Sequence, residues 1–162
     1  MTLVLRSPNF EHMGNIPAQY TCDGDNISPA LQWQGFPKET KTFVLILDDP
    51  DIPSGIKNSL GELITVWDHW VLFNIPASVS ELPENVQDLP EGTQCGKLSN
   101  GEQTYYGPCP PDKCHRYFFK LYALNDFLSL KSGVTKTEIE IAMKGHILDQ
   151  TQLVGAYDRP RK

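Results

Sequence analysis

The chain has 162 residues, of which 40% are hydrophobic and 21% are charged, a composition typical of a globular domain with a buried core. Its net charge of −6 argues against a groove for nucleic acid or an anionic membrane, because such partners are bound by basic surfaces. No apolar run reaches the roughly 20 residues of a membrane span, and the start MTLVLRSPNF lacks the segments of a signal peptide. We therefore predict one domain over residues 1–162 and a cytoplasmic location.

Strands dominate the predicted elements. TLVLRS near the start is typical of a short or edge strand, and three buried strands are predicted at FVLILDD (43–49), HWVLFNI (69–75) and YFFKLYAL (117–124). One helix follows, because Thr135 and Glu138 form a capping box. Its apolar positions at helical spacing are Ile139, Ala142, Met143 and Ile147, which also places His146 on the helix. QLVGAYD near the end is again typical of a short or edge strand, so the chain is predicted to be mainly β, a sandwich with a helix near its C-terminus.

The four cysteines, Cys22, Cys95, Cys109 and Cys114, follow the spacing C-x72-C-x13-C-x4-C. Because there are no paired CxxC motifs, a structural zinc site is not expected. Two interpretations remain open at this point. Either all four are free thiols, or one or two disulfides tie together the loops around Cys22, Cys95 and Cys109, and the sequence does not choose the pairing.

Each of the three buried segments carries a row of apolar side chains with an ionisable group at one end, since alternate residues of a strand share a face. The rows are Phe43, Leu45, Leu47 and Asp49; His69, Val71, Phe73 and Ile75; and His115, Tyr117, Phe119, Leu121 and Ala123. If the first strand runs antiparallel to the other two, the ionisable ends meet at one edge of a sheet. We therefore expect a small pocket with an apolar floor and a rim of Asp49, His69, His115 and Tyr117.

The chemistry of this rim suits a small anion. Imidazole and phenol groups are hydrogen-bond donors, and the loop 107–111 is expected to add backbone N–H groups that can hold one phosphate or carboxylate. The segment DPDIPSG adds a second rigid wall, because Pro50 and Pro53 restrict the backbone on either side of Asp51. The sequence leaves open whether the peptide bond before Pro53 is cis or trans.

Four segments, YTCDGDNISPALQW, DDPDIP, WDHWVLFNIP and GPCPPDKCHRYFFKLYAL, resemble in order and spacing the phosphatidylethanolamine-binding protein family. The likeness is strongest to its bacterial and archaeal branch of Raf-kinase-inhibitor-like proteins, and it covers nearly the whole chain. The resemblance implies an antiparallel β-sandwich of Greek-key type, with one or two peripheral helices and a small anion pocket. Carried over by motif, the ligand-binding residues are Asp49, His69, Gly107, Pro110, Pro111, His115 and Tyr117, with Asp51 and Pro53 in a supporting loop.

The resemblance also implies a function. Members of the family bind phosphorylated head groups and inhibit kinases or serine proteases. We therefore expect a binding protein and not an enzyme, with no catalytic residue, metal or cofactor. The expected partners are a small phosphate- or carboxylate-bearing ligand and a kinase or protease, without nucleic acid or a membrane span, and the protein is expected to be a monomer or homodimer.

Alternative interpretations remain open. Two histidines and one aspartate also match a facial triad for iron or zinc, so a metal-dependent enzyme is a second hypothesis. A third is a protein inhibitor that acts through an exposed loop, 51–66 or 85–104. A nucleophilic hydrolase is weaker, because no serine lies in a G-x-S-x-G motif. His69 could also be a core histidine, and Arg116, on the opposite face of its strand, is expected to form a structural ion pair.

Overall fold

A computed structural model describes residues 2–160 of the chain. Within these residues there are eight strands, one α-helix and one turn of 3₁₀ helix. In chain order they are β1 (Val4–Arg6), the 3₁₀ turn (Ala18–Tyr20), β2 (Leu31–Gln34), β3 (Thr42–Asp49), β4 (Trp67–Pro76), β5 (Glu81–Leu82), β6 (Gln94–Cys95), β7 (His115–Leu124), α1 (Lys136–Met143) and β8 (Ile147–Tyr157).

The strands form two antiparallel sheets. The smaller sheet has the order β1-β2-β5 and the larger has the order β6-β4-β3-β7-β8. In the larger sheet β3, β4 and β6 follow one another outward, and β7 then returns to the free side of β3, which is a Greek-key order. The prediction of a mainly β, antiparallel fold with a C-terminal helix is confirmed.

The larger sheet is covered on both faces, and β3 lies at its centre with all eight residues buried. Leu45 and Leu47 pack with Trp33 of the smaller sheet in one apolar cluster. Ile46 points the other way and packs with Ile139 of α1 in a second cluster. A continuous apolar run is the pattern of a strand buried on both faces, so the layers are small sheet, large sheet and helix.

Strand β4 does not alternate regularly, because its register against β3 shifts at two places. Trp70 and Ile75 pack in the cluster between the sheets, whereas Val71 and Phe73 pack in the cluster on the helix side. The prediction that Val71 and Phe73 share a face with His69 is therefore wrong. An extra residue at a bulge places two consecutive side chains on the same face, and His69 accordingly contacts residues on the same side as Trp70.

The predicted capping box is present at the start of α1. Thr135 is the N-cap, and its hydroxyl accepts a hydrogen bond from the backbone N–H of Glu138 at 3.2 Å. The helix is shorter than predicted, because Gly145 follows with a φ of 83° and ends it. His146 therefore lies in a turn and Ile147 begins β8, so their placement on the helix is wrong.

The terminal strands are both edge strands, as predicted. β1 lies at the edge of the smaller sheet and β8 at the edge of the larger one, although β8 is longer than expected at 11 residues. Within residues 2–160, every helix is too short or too polar to cross a bilayer.

Candidate ligand-binding site

The end of β3 and the beginnings of β4 and β7 meet at one edge of the larger sheet, because β3 runs antiparallel to both neighbours. Asp49 is the last residue of β3, Trp67 is the first of β4 and His115 is the first of β7. His69 follows two residues into β4. The strand directions assumed for the predicted pocket are thus the ones observed.

A cavity of about 160 Å³ opens at this edge. Four of the predicted ligand-binding residues line it, namely Asp49, His69, Pro111 and Tyr117, and so does Pro53 of the supporting loop. The remaining lining residues are Ile52, Ile56, Trp67, Tyr106 and Cys109.

His115 is fully buried behind the cavity wall and does not line it. Its Nδ1 lies 2.7 Å from Oδ2 of Asp49, and its Nε2 lies 2.6 Å from Oδ1 of Asp112. Burial alone would lower the pKa of His115, but the two carboxylates together outweigh it and raise the pKa above its ordinary value. His115 therefore contacts the cavity indirectly, through the carboxylate of Asp49 and through its ring, which is stacked on that of Tyr117. The other oxygen of Asp49 accepts the backbone N–H of Asp51 at 2.7 Å.

His69 has the opposite electrostatic environment. Its ring is almost fully buried, and its Nδ1 lies 2.6 Å from the backbone carbonyl oxygen of Tyr106. Burial lowers the pKa of His69 to about 4, so the ring is neutral at pH 7. Because Nδ1–H donates to the carbonyl, Nε2 carries a lone pair and is an acceptor. The ring is stacked on Tyr106 and meets the edge of Tyr117, at centroid distances of 5.7 and 5.4 Å.

Tyr117 brings a hydrogen-bond donor to the cavity. Its side chain is fully buried, and its hydroxyl lies near the carboxylate of Asp49 and the backbone of Cys109 but makes no well-formed hydrogen bond among residues 2–160. Burial raises the pKa of this hydroxyl, and the nearby Asp49 carboxylate adds to the effect, so it stays protonated. An unsatisfied buried hydroxyl costs about 1–3 kcal/mol, a cost that a bound acceptor would remove.

The loop 107–111 contributes less than predicted. The N–H of Gly107 donates to Oδ1 of Asn26 at 2.7 Å, so the prediction that it is free for an anion is wrong. A Cβ on Gly107 would lie 2.1 Å from the carbonyl oxygen of Tyr20, and the glycine is therefore required for close packing of two loops. Pro110 is buried outside the cavity lining, and only the proline that follows it reaches the cavity.

The loop is also tied covalently. Cys22 and Cys109 form a disulfide, whereas Cys95 and Cys114 are free. The interpretation with four free thiols is therefore wrong, and the structure selects one pairing among those that the sequence left open. The backbone N–H of Cys22 also donates to the carbonyl oxygen of Pro108 at 3.1 Å.

The second wall of the cavity, the segment DPDIPSG (49–55), is held in place by an ion pair. Nε and Nη2 of Arg116 donate to the two carboxylate oxygens of Asp51 at 2.9 and 2.8 Å. These hydrogen bonds lower the pKa of Asp51 to about 2, and the bidentate pair fixes the turn against β7. The structural role expected for Arg116 is confirmed, and Asp51 faces it and does not line the cavity. The peptide bond before Pro53 is trans.

Several residues of the site were missed. Trp67 stands two positions before His69, so strand alternation extended by one step would have found it. Tyr106 and Asp112 lie in a turn-rich segment where no periodicity indicates the direction of a side chain. Asn26, which holds the loop, is distant in sequence from the residues that it contacts.

The donor set does not match a metal centre. Within the part of the chain that the structure describes, no group of three or more His, Cys, Asp or Glu side chains is arranged to hold a metal ion. Both ring nitrogens of His115 already face carboxylates, and Nδ1 of His69 faces a carbonyl oxygen. A facial triad of these two histidines with Asp49 is therefore not assembled.

The sequence matches proteins of a known family. The family model for phosphatidylethanolamine-binding protein matches residues 6–158. A UPF0098 protein from Methanothermobacter thermautotrophicus is 48% identical over 158 residues, which cover 96% of this chain and 98% of the relative. A UPF0098 protein from Aquifex aeolicus is 41% identical, with 94% of this chain and 86% of the relative covered.

Solved structures show the same fold. A phosphatidylethanolamine-binding protein homologue from Chlamydia trachomatis has a TM-score of 0.88 and 38% identity, and the likeness covers 98% of this chain and 99% of that one. Escherichia coli YbcL, a member of the mammalian PEBP family, has a TM-score of 0.86 and 27% identity, over 99% of this chain and 100% of that one. Because the family model matches residues 6–158 and the Methanothermobacter relative is 48% identical, the chain belongs to the phosphatidylethanolamine-binding protein family.

Proposed function

We propose that the cavity beside Asp49 binds a small ligand through one phosphate or carboxylate group, and that the protein is a binding module and not an enzyme. Membership of the phosphatidylethanolamine-binding protein family supports ligand binding in general. The observation that carries this proposal is Tyr117, which lines the cavity, packs its ring against the ring of His69, and has a buried hydroxyl that makes no well-formed hydrogen bond among the described residues.

The polar groups define how a ligand would be held. The hydroxyl of Tyr117 donates to an anionic oxygen, and Nε2 of the neutral His69 accepts a hydrogen bond from a protonated oxygen. Among the described residues the lining has no lysine or arginine, and it contains the carboxylate of Asp49, which opposes a second negative charge. The preferred ligand group therefore carries one negative charge: a carboxylate, a phosphodiester, or a phosphate monoester that keeps one proton, which with a second pKa of about 6 is its main form only below that pH.

The lining also supports a role in binding without chemistry. Among residues 2–160 it holds no serine, lysine or free thiol that could act as a nucleophile, because Cys109 is in a disulfide. Trp67 and Ile56 offer apolar surface for the part of the ligand that lies outside the anionic group.

A regulatory role as an inhibitor of a kinase or a serine protease is the second proposal. It would use the loop 51–66, on which Leu60 and Leu63 are exposed by 67% and 70%. Exposed leucines on a loop that also walls the ligand cavity would let a ligand affect a protein contact. As part of this second proposal, we place the protein in the cytoplasm.

The first test compares Tyr117→Phe with Tyr122→Phe in titrations with O-phosphorylethanolamine. Both changes remove one hydroxyl from β7, but Tyr122 packs on the helix side of the sheet, away from the cavity. We expect Tyr117→Phe to weaken binding by about 1.5–3 kcal/mol, roughly 10- to 150-fold, because a charge-assisted hydrogen bond is lost. Calorimetry gives the affinity, and ring signals of His69 in NMR spectra locate the binding.

The stability of the variant separates ligand binding from folding. Since the hydroxyl of Tyr117 is unsatisfied in the free protein, its removal should leave the free energy of unfolding unchanged or slightly raised. Equal affinity in both variants would overturn the proposal. A parallel titration with zinc that shifts the His69 and His115 signals, while the phosphate compound does not, would favour the metal-site alternative.

A further inference from the structure

We infer that the disulfide between Cys22 and Cys109 is a redox switch for the ligand cavity. Its reduction by a dithiol releases the wall at Cys109 and weakens ligand binding. The inference rests on the proposed function, because ligand binding is the activity that the switch regulates.

The position of the disulfide is the first observation. Cys109 lines the cavity, whereas Cys22 lies outside it in the loop after the 3₁₀ turn. The two cysteines are 87 residues apart, so the bond joins two loops that are remote in the chain. Breaking it changes the mobility of the wall and removes no atom from the lining.

The second observation is the distribution of other tethers. Up to Pro108 the loop is well anchored, because Gly107 donates to Asn26 and the carbonyl oxygen of Pro108 accepts from Cys22. Beyond this point the anchoring is sparse. No backbone–backbone hydrogen bond among the described residues joins 109–114 to another part of the chain.

The third observation is what this segment carries. It holds two wall residues, Cys109 and Pro111, and also Asp112, whose carboxylate faces Nε2 of the buried His115. Apart from Cys109 and Pro110, its residues are exposed. Without the disulfide, few contacts oppose fluctuation of the segment, and both the wall and the carboxylate beside His115 lose their fixed positions.

The reaction is an ordinary thiol–disulfide exchange. One dithiol supplies two electrons and two protons, the S–S bond becomes the thiols of Cys22 and Cys109, and the dithiol closes to a disulfide. Because binding and reduction are coupled, each must change the other by the same factor. A tenfold loss of affinity on reduction therefore predicts that saturating ligand lowers the reduction potential by about 30 mV.

The experiment titrates O-phosphorylethanolamine into three samples: the oxidised protein, the protein reduced with dithiothreitol, and Cys22→Ser. The variant removes the cross-link and leaves the cavity lining intact. We expect the oxidised protein to bind and the other two to bind about tenfold more weakly, and we expect reoxidation to restore the wild type alone. Cys95→Ser and Cys114→Ser, which remove the free thiols, should keep the full response.

The outcomes separate the two proposals. Equal affinity of the oxidised and reduced proteins overturns the switch and leaves the proposed function standing. Failure of the oxidised protein to bind overturns the proposed function, and with it the switch. If Cys22→Ser does not fold, the reduction potential of the wild type decides: a potential that the probe does not change overturns the switch, and a decrease of about 30 mV supports it.

Discussion

His69 and His115 are the same residue type at one end of one sheet, yet their surroundings shift their pKa values in opposite directions. Carboxylates at both nitrogens raise the pKa of His115 against the effect of burial, so its stabilising contribution is complete below the unfolded pKa and lost as pH rises through the folded one. His69 has a carbonyl oxygen at Nδ1 and is dominated by burial, so it stays neutral at pH 7. The cavity thus has a neutral imidazole in its wall, and behind the wall a histidine whose protonated form is favoured by two carboxylates.

The lowered pKa of His69 predicts a loss of stability in acid. In the unfolded chain His69 binds a proton below about pH 6.5, whereas in the folded chain it does so only below about pH 4. Acidification over this range should therefore remove about 3 kcal/mol of the contribution of His69 to the free energy of unfolding. His69→Gln, which keeps a donor for the carbonyl oxygen of Tyr106, should flatten this dependence. Urea unfolding at several pH values measures it, with His146→Gln as the control. An unchanged slope in His69→Gln would contradict the assignment.

At this scale the strand residues predicted from the sequence lie at the cavity except His115, which lies behind its wall, and the prediction failed for the hydrogen bonds of the loops. Asp49, His69 and Tyr117 were identified because a strand fixes the direction of each side chain. Gly107 was given a free N–H, although that N–H is used by Asn26. A loop of prolines and turns has no period, so its hydrogen bonds depend on contacts that only the folded chain reveals.

Among the elements, β4 pairs with β3 through two bulges. These bulges explain why the sequence misplaced some side chains of β4 and yet placed His69 at the cavity. Strand alternation assumes an unbroken register, so Val71 and Phe73 were placed on the wrong face. His69 nevertheless lies at the predicted cavity, because the bulge beside it places its side chain on the same face of the sheet as that of Trp70. One bulge contains Asn74, which has a φ of 58°.

Asn74 offers a test of what stabilises this bulge. Its side chain makes hydrogen bonds of 2.9 and 2.8 Å with the carbonyl oxygen and N–H of Leu128. Asn74→Ala loses both bonds, and alanine adopts a positive φ less readily than asparagine, so we expect a cost of about 2–4 kcal/mol. Asn74→Gly loses the bonds but tolerates the backbone, and it should be more stable than the alanine variant by about 1 kcal/mol. Chemical denaturation gives both values, and a glycine variant that is no better would show that backbone strain is not involved.

For the whole molecule, the large sheet separates two charged networks. Asp49 faces the cavity, whereas its neighbour Asp48 is buried on the helix side, where Nζ of Lys120 lies 3.0 Å and Nζ of Lys136 lies 3.4 Å from its Oδ2. Lys136 also lies 2.8 Å from Oδ1 of Asp68, whose pKa is raised by burial. Because Lys136 is the first residue of α1, this network fastens the helix to the sheet.

Lys136→Met should therefore destabilise the molecule without affecting the ligand. Two buried carboxylates lose their shared cation, and we expect a cost of about 3–5 kcal/mol in the free energy of unfolding. Lys120→Met, at a more exposed position with one partner, should cost less. Thermal unfolding measures stability and calorimetry measures the affinity for O-phosphorylethanolamine. A change in that affinity would show that a substitution in the helix-side network affects the cavity through the sheet.

The overall architecture was predictable because three long apolar segments require a sheet covered on both sides. The pairing of Cys22 with Cys109 was not, since disulfide partners are selected by distance in the folded chain and not by spacing in sequence. The end of the helix was missed for a local reason. The helical spacing of apolar residues continues past Gly145 in the sequence, although the helical backbone conformation ends before it.

The complete burial of β3 has a consequence for how such proteins can diversify. All eight of its residues are buried, and among them Asp49 alone lines the cavity. The surfaces that another protein would touch are instead loops, such as 51–66 and 85–104. Mutations that create or abolish a protein contact can therefore accumulate on the parts of these loops that lie outside the cavity wall, while the strand at the centre stays unchanged. Descendants of one ancestor can thus acquire unrelated partners and still share one sheet and one cavity.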